Sequence, residues 1–119
     1  MGPAEDKANP NETRSTVAST TGGVMTEEVG AVTGELEVAT RPLPARGIEV
    51  TVRYAGADEW YSVEGSPIEL GKAGDLPPSK LRELHERLVR HLTAPAKVVD
   101  GNEQATSLLG FSPQNRDYG

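Results

Sequence analysis

Two histidines, one tryptophan and scattered carboxylates and serines are what this chain offers for chemistry. His85 and His91 fall in one segment, with Glu86 beside the first. Zinc helices of the His-Glu-x-x-His kind set their imidazoles four residues apart, on one face. A separation of six turns the two rings about 120° apart around a helix. Cysteine is absent from the chain, so no thiolate can complete a coordination set, and no metal ligand is assigned. Serines and aspartates abound, but none sits in a Gly-x-Ser-x-Gly elbow. The acidic pairs Glu27-Glu28 and Asp58-Glu59 fall in an expected tail and a turn, respectively. Acid–base work by paired carboxylates needs a cleft that raises one pKa, which a chain this small is not expected to build. The glycines follow neither the P-loop nor the dinucleotide spacing. No catalytic residue and no cofactor are expected.

Binding chemistry is better represented. Trp60 is the single tryptophan, and Tyr61 and Arg53 lie close to it in two adjacent apolar-polar runs. Tryptophan, tyrosine and arginine dominate the energetics of protein interfaces, so Trp60, Tyr61 and Arg53 are the candidate contacts with a partner. A lone tryptophan in a small sheet is, however, more often a core residue than a contact, and that reading of Trp60 stands beside the first. Lys80, Arg82, Arg87 and Arg90 give the later segment a positive side, but Glu83 and Glu86 interleave with them. With a formal charge of -6 over the chain, phosphate backbones are repelled, and nucleic acid is not an expected partner.

The elements that position these residues are legible in the middle of the chain. Ile48, Val50, Val52 and Tyr54 alternate with Glu49, Thr51 and Arg53, which predicts a half-buried strand. A second strand over roughly Glu59–Glu64 follows a turn at Ala55–Glu59. Pairing Tyr54 with Tyr61 and Val52 with Val63 matches the apolar faces and sends Trp60 to the opposite one; a one-residue slip would exchange the faces. Ile68–Leu70 adds a third short strand. Pro78 suits a first helical position, and Leu81, Leu84, Leu88 and Leu92 form a stripe with helical spacing that Pro95 ends. Val98 and Val99 precede an Asp100-Gly101-Asn102 turn. Ser107–Phe111 is a last apolar cluster, which either docks on the core or stays free.

The flanks are poorer. Residues 1–24 hold prolines, asparagines, serines and threonines with almost nothing to bury, and are expected to be a disordered tail. Met25 within the chain could serve as a start. Residues 25–47 are expected to be weakly structured, with one possible strand near Glu35–Ala39 and a Pro-rich linker from Arg41 to Gly47. A small α+β domain is then expected over 48–111: an antiparallel meander of two to four strands with one amphipathic helix packed on one face. Residues 112–119 are expected to fray.

No apolar run approaches the about 20 residues of a membrane span, and no signal-type segment opens the chain. The expected setting is cytoplasmic, and the Arg-, Ala- and Gly-rich usage suggests a bacterial coding sequence of high GC content. Domains of this size bury only about 60% of their unfolded surface. With no disulfide available, a protein partner or a homodimer is expected, joined through a strand such as Ile48–Tyr54 or Ile68–Leu70. The rival account is a four-stranded monomer in which Leu36–Val38 and Val98–Val99 cover those edges. These features point to a small non-catalytic binding, adaptor or regulatory protein. The alternative is an enzyme subunit whose pocket forms between chains of an oligomer.

Overall fold

The structure is a computed structural model, and it describes residues 12–43, 47–70 and 77–112. The fold is α+β, with antiparallel strands on which a single described helix packs. Nine strands are present among these residues: β1 (Thr13–Ala18), β2 (Val24–Thr26), β3 (Gly30–Val32), β4 (Glu35–Leu43), β5 (Gly47–Tyr54), β6 (Tyr61–Ser62), β7 (Ile68–Glu69), β8 (Val98–Val99) and β9 (Asn102–Glu103). Helix α1 spans Pro78–Thr93, between β7 and β8. The main sheet runs in the order β1-β4-β5-β6, with β7 beside β6 on the same edge of β5.

β4 and β5 form the centre because their alternation fits a two-sided sheet. Leu36, Val38 and Thr40 of β4, and Ile48, Val50 and Val52 of β5, are buried on one face. Helix α1 packs on β1 and β4 across that face, and its predicted stripe Leu81, Leu84, Leu88 and Leu92 is buried there. The charged residues Lys80, Arg82, Glu83, Glu86 and Arg90 of α1 stay exposed. The β6 pairing corrects the expected register. Val52 opposes Tyr61 and Thr51 opposes Ser62, a shift of two residues from the apolar match expected. A shift of two preserves the side-chain parity of a strand, so Trp60 still projects from the face opposite the helix.

The expected tail over residues 1–24 is corrected from Thr13 onward; residues 1–11 lie outside the described residues. β1 pairs with β4 over its whole length, from Thr13↔Thr40 to Ala18↔Glu35. Its core-facing positions are Thr13, Ser15 and Val17, a mostly polar, half-buried set in which Val17 packs on the core and the Ser15 hydroxyl finds a partner in the His85 imidazole of α1. The segment 25–47 is also more ordered than expected. β2 and β3 form a hairpin, and β4 runs on through Arg41-Pro42-Leu43 into the expected linker; residues 44–46 lie outside the described residues. The ladder alternates, so an N–H at position 42 would face the β1 side, where β1 begins only opposite Thr40. Proline therefore costs this strand no described bond.

The hairpin β2–β3 closes the far side. Thr26 bridges Val63, and Val24 bridges Thr106 in the C-terminal segment, which fully buries Val24 and nearly buries Val32. The strand Ile48–Tyr54, expected as an open edge, is thus interior, with β4 on one side and β6 and β7 on the other. β8 and β9 join through Asp100 and Gly101, both at positive φ, as a tight hairpin turn requires. The cluster Ser107–Phe111 docks on the core. Leu108 is buried, Leu108 N–H donates to the Glu64 carbonyl at 2.8 Å, and Phe111 lies edge-on against His91 at 5.2 Å. Residues 113–119, within the segment expected to fray, lie outside the described residues.

Candidate interaction face

The sheet face away from α1 carries the candidate contacts. Register places Glu37 opposite Arg53 and Arg41 opposite Glu49, and each opposed pair closes an ion pair at 2.6 Å. Such cross-strand pairs stabilise a sheet by about 0.2–1 kcal/mol each. Between these two rows of long side chains runs a row of small ones, Ala39 and Thr51, headed by Arg14 on β1. Arg14 Nε donates to Glu12 at 2.8 Å.

Trp60 lies over this surface, one residue before β6. The Arg53 guanidinium carbon sits 4.5 Å from its ring centre and that of Arg14 5.1 Å. Contacts of this kind contribute about 0.5–1 kcal/mol at exposed sites. Beneath the ring edge is a depression of about 220 Å³ lined by Glu12, Arg14, Ala39, Arg41, Glu49, Thr51 and Trp60. Its floor is set by the small side chains, and its walls present both charges. No described element packs over it.

Of the three residues singled out from the sequence, the fold brings Trp60 and Arg53 together and sends Tyr61 elsewhere. Tyr61 faces the helix side, opposite Val52, and packs against the core. Its hydroxyl donates to Glu59 at 3.2 Å, and this bond to a carboxylate holds the phenol above its ordinary value. Arg14, Arg41 and Glu49 line the same depression, and sequence reasoning did not single them out. The alternation of Glu37 and Arg41 with Val38 and Thr40 was the available signal for β4. Arg14 had none, because β1 lacks an apolar face.

On the helix side, His85 is 2% exposed. Its Nε2 lies 2.7 Å from the Ser15 hydroxyl and its Nδ1 3.0 Å from that of Thr40. A serine against an imidazole is the first half of a nucleophile–base pair, but the third position here is a hydroxyl. Thr40 carries no charge to stabilise an imidazolium. In a neutral ring one nitrogen donates and the other accepts, and a hydroxyl does either. The trio therefore forms a satisfied polar link between α1, β1 and β4. His91, on another side of α1, donates from Nε2 to the Ser107 carbonyl at 3.0 Å. The two histidines serve separate contacts, and no three His, Asp or Glu side chains converge among the described residues. No helix among these residues is long and apolar enough to cross a membrane.

No family model, curated protein or solved structure matched the chain in comparisons with each.

Proposed function

We propose that this chain is a small non-catalytic binding module that engages a protein partner through the sheet face around Trp60. The observation that carries this reading is the placement of Trp60. A large aromatic ring stands on a sheet face that no described element covers, held by Arg14 and Arg53 beside a depression. A rigid aromatic anchor flanked by arginines is the composition of an interface hot spot. The charges there balance, with Arg14, Arg41 and Arg53 set against Glu12, Glu37 and Glu49. A balanced face suits a protein surface of mixed charge better than a polyanion, which gains affinity from net positive charge. An apolar side chain of the partner would enter the depression over Ala39 and Thr51, with polar groups pairing at the Arg41 and Glu49 rim. An adaptor or regulatory role in a cytoplasmic, bacterial setting is the wider frame of this proposal.

Affinity capture from the native host with wild-type and Trp60→Ala baits tests it. A protein held by the wild type and lost with Trp60→Ala is expected, and its addition should shift the emission of the single tryptophan. Equal recovery on both baits, with the variant still folded by its amide spectrum, would move the interface off this face.

A further inference from the structure

We propose that the chain pairs with a second copy of itself through β1, antiparallel across a two-fold axis at Val17. This goes beyond the reading of the Trp60 face and does not depend on it.

Hydrogen-bond alternation shows which groups of β1 remain open. Ser19 N–H donates to the Gly34 carbonyl at 2.9 Å, so Val17, Ser15 and Thr13 likewise point their backbone groups at β4. The next strand agrees in phase: Ala55 N–H donates to the Glu35 carbonyl, so the odd positions of β4 serve β5 and its even positions serve β1. Thr16 and Ala18 therefore direct their N–H and C=O groups away from the sheet. Among the described residues β1 pairs with β4 alone, at the end of the strand order.

This edge is lightly protected. Thr13–Ala18 contains no lysine and no proline, its one charge, Arg14, is engaged by Glu12 and Trp60 on the face away from α1, and its register with β4 runs without a bulge. The opposite side of the sheet is treated differently: β6 and β7 are two residues long, and β2 bridges Val63 beyond them.

The second copy follows from self-complementarity. With Thr16 opposite the other copy's Ala18, and the reverse, four backbone hydrogen bonds form from groups now facing outward. Val17 then meets Val17 in the narrow, non-hydrogen-bonded position, where side chains approach closest. Val17 already packs against the core cluster, so the pair extends that core across the axis. Ser15 falls opposite Ser19, and no like charges are opposed. Helix α1 packs on β1, which sets the two helices side by side on the same face of the joined sheet.

Sedimentation of the full chain over a wide concentration range gives the first reading, with a doubling of mass expected as concentration rises. Amide exchange gives the second: Thr16 and Ala18 should be protected in concentrated solution and exchange freely on dilution, while Val17 stays protected throughout. Thr16→Pro removes a donor that serves no bond to β4, and should abolish the mass doubling. Thr16→Lys, which keeps the donor but places a charge at the axis, should weaken association even if the proline variant fails to fold. A wild-type chain monomeric at every concentration would overturn the proposal. So would a dimer in which Thr16 and Ala18 still exchange freely, or one that Thr16→Lys leaves unchanged.

Discussion

Between Ser15 and Thr40, His85 is held where an imidazolium would lack water. Burial lowers its pKa below the ordinary 6.5, with Glu86 opposing that shift more weakly. The unfolded chain therefore binds a proton near pH 6.5 that the folded chain does not. Stability is full above that value, falls as pH drops below it, and stops changing on this account once the folded-state pKa is passed. Urea midpoints measured between pH 8 and 5, in about half-unit steps, should show this decline. His85→Gln keeps a donor and an acceptor at the end of the side chain but cannot titrate. Its midpoint should vary less over that window, and a decline as steep as the wild type's would assign the effect to other groups. The same trio explains a gap in what the sequence revealed. Ser15 and His85 are 70 positions apart, and nothing local to either marks the bond that ties a polar, half-buried strand to the helix.

Elements with an apolar period of their own were readable; those held by distant partners were not. α1 announced itself through Leu81, Leu84, Leu88 and Leu92, and β5 through Ile48, Val50 and Val52. The parity of β6 was readable too, which is why Trp60 and Arg53 were placed on one face. The two-residue offset is set by the path from Ala55 to Trp60, which no hydrophobic pattern encodes. Leu88 is fully buried, so Leu88→Ala should cost about 2–5 kcal/mol through lost burial and the cavity left behind. A thermal melt that barely moves would remove α1 from the core. Gly47, where β5 begins, makes a different demand. It holds φ at 139°, and a Cβ there would run into the Ile68 carbonyl of β7. Gly47→Ala should therefore destabilise by about 1–3 kcal/mol from backbone strain alone, with further loss from displacing β7. Amide shifts concentrated at Ile68 and Glu69 would confirm the path; a neutral melt would contradict it.

The whole molecule draws one core from nearly all its described length, from Val24 and Val32 through β4, β5 and α1 to Leu108. The N-terminal strand is thus part of the fold, although its composition resembles a tail. That has a consequence for a chain shortened to begin at the internal Met25. Such a chain keeps the stripe of α1 and the centre of the sheet, and loses β1, the turn that leads into β2 and the fully buried Val24 that opens β2. β4 would then expose the backbone groups of Leu36, Val38 and Thr40 that now serve β1. His85 would keep Thr40 and lose Ser15. Thr106 would lose the Gly23 carbonyl, which accepts from its N–H at 2.8 Å. Each backbone bond is worth about 0.5–1.5 kcal/mol net, and an orphaned buried group costs about 1–3. Together these losses are a large share of the about 5–15 kcal/mol that holds a domain together. The shortened chain should therefore show no cooperative thermal transition by circular dichroism, with amide signals collapsed toward random-coil values. If it melts cooperatively near the full-length midpoint, β1 is an accessory strand, and the folding unit is the smaller domain that composition alone suggests.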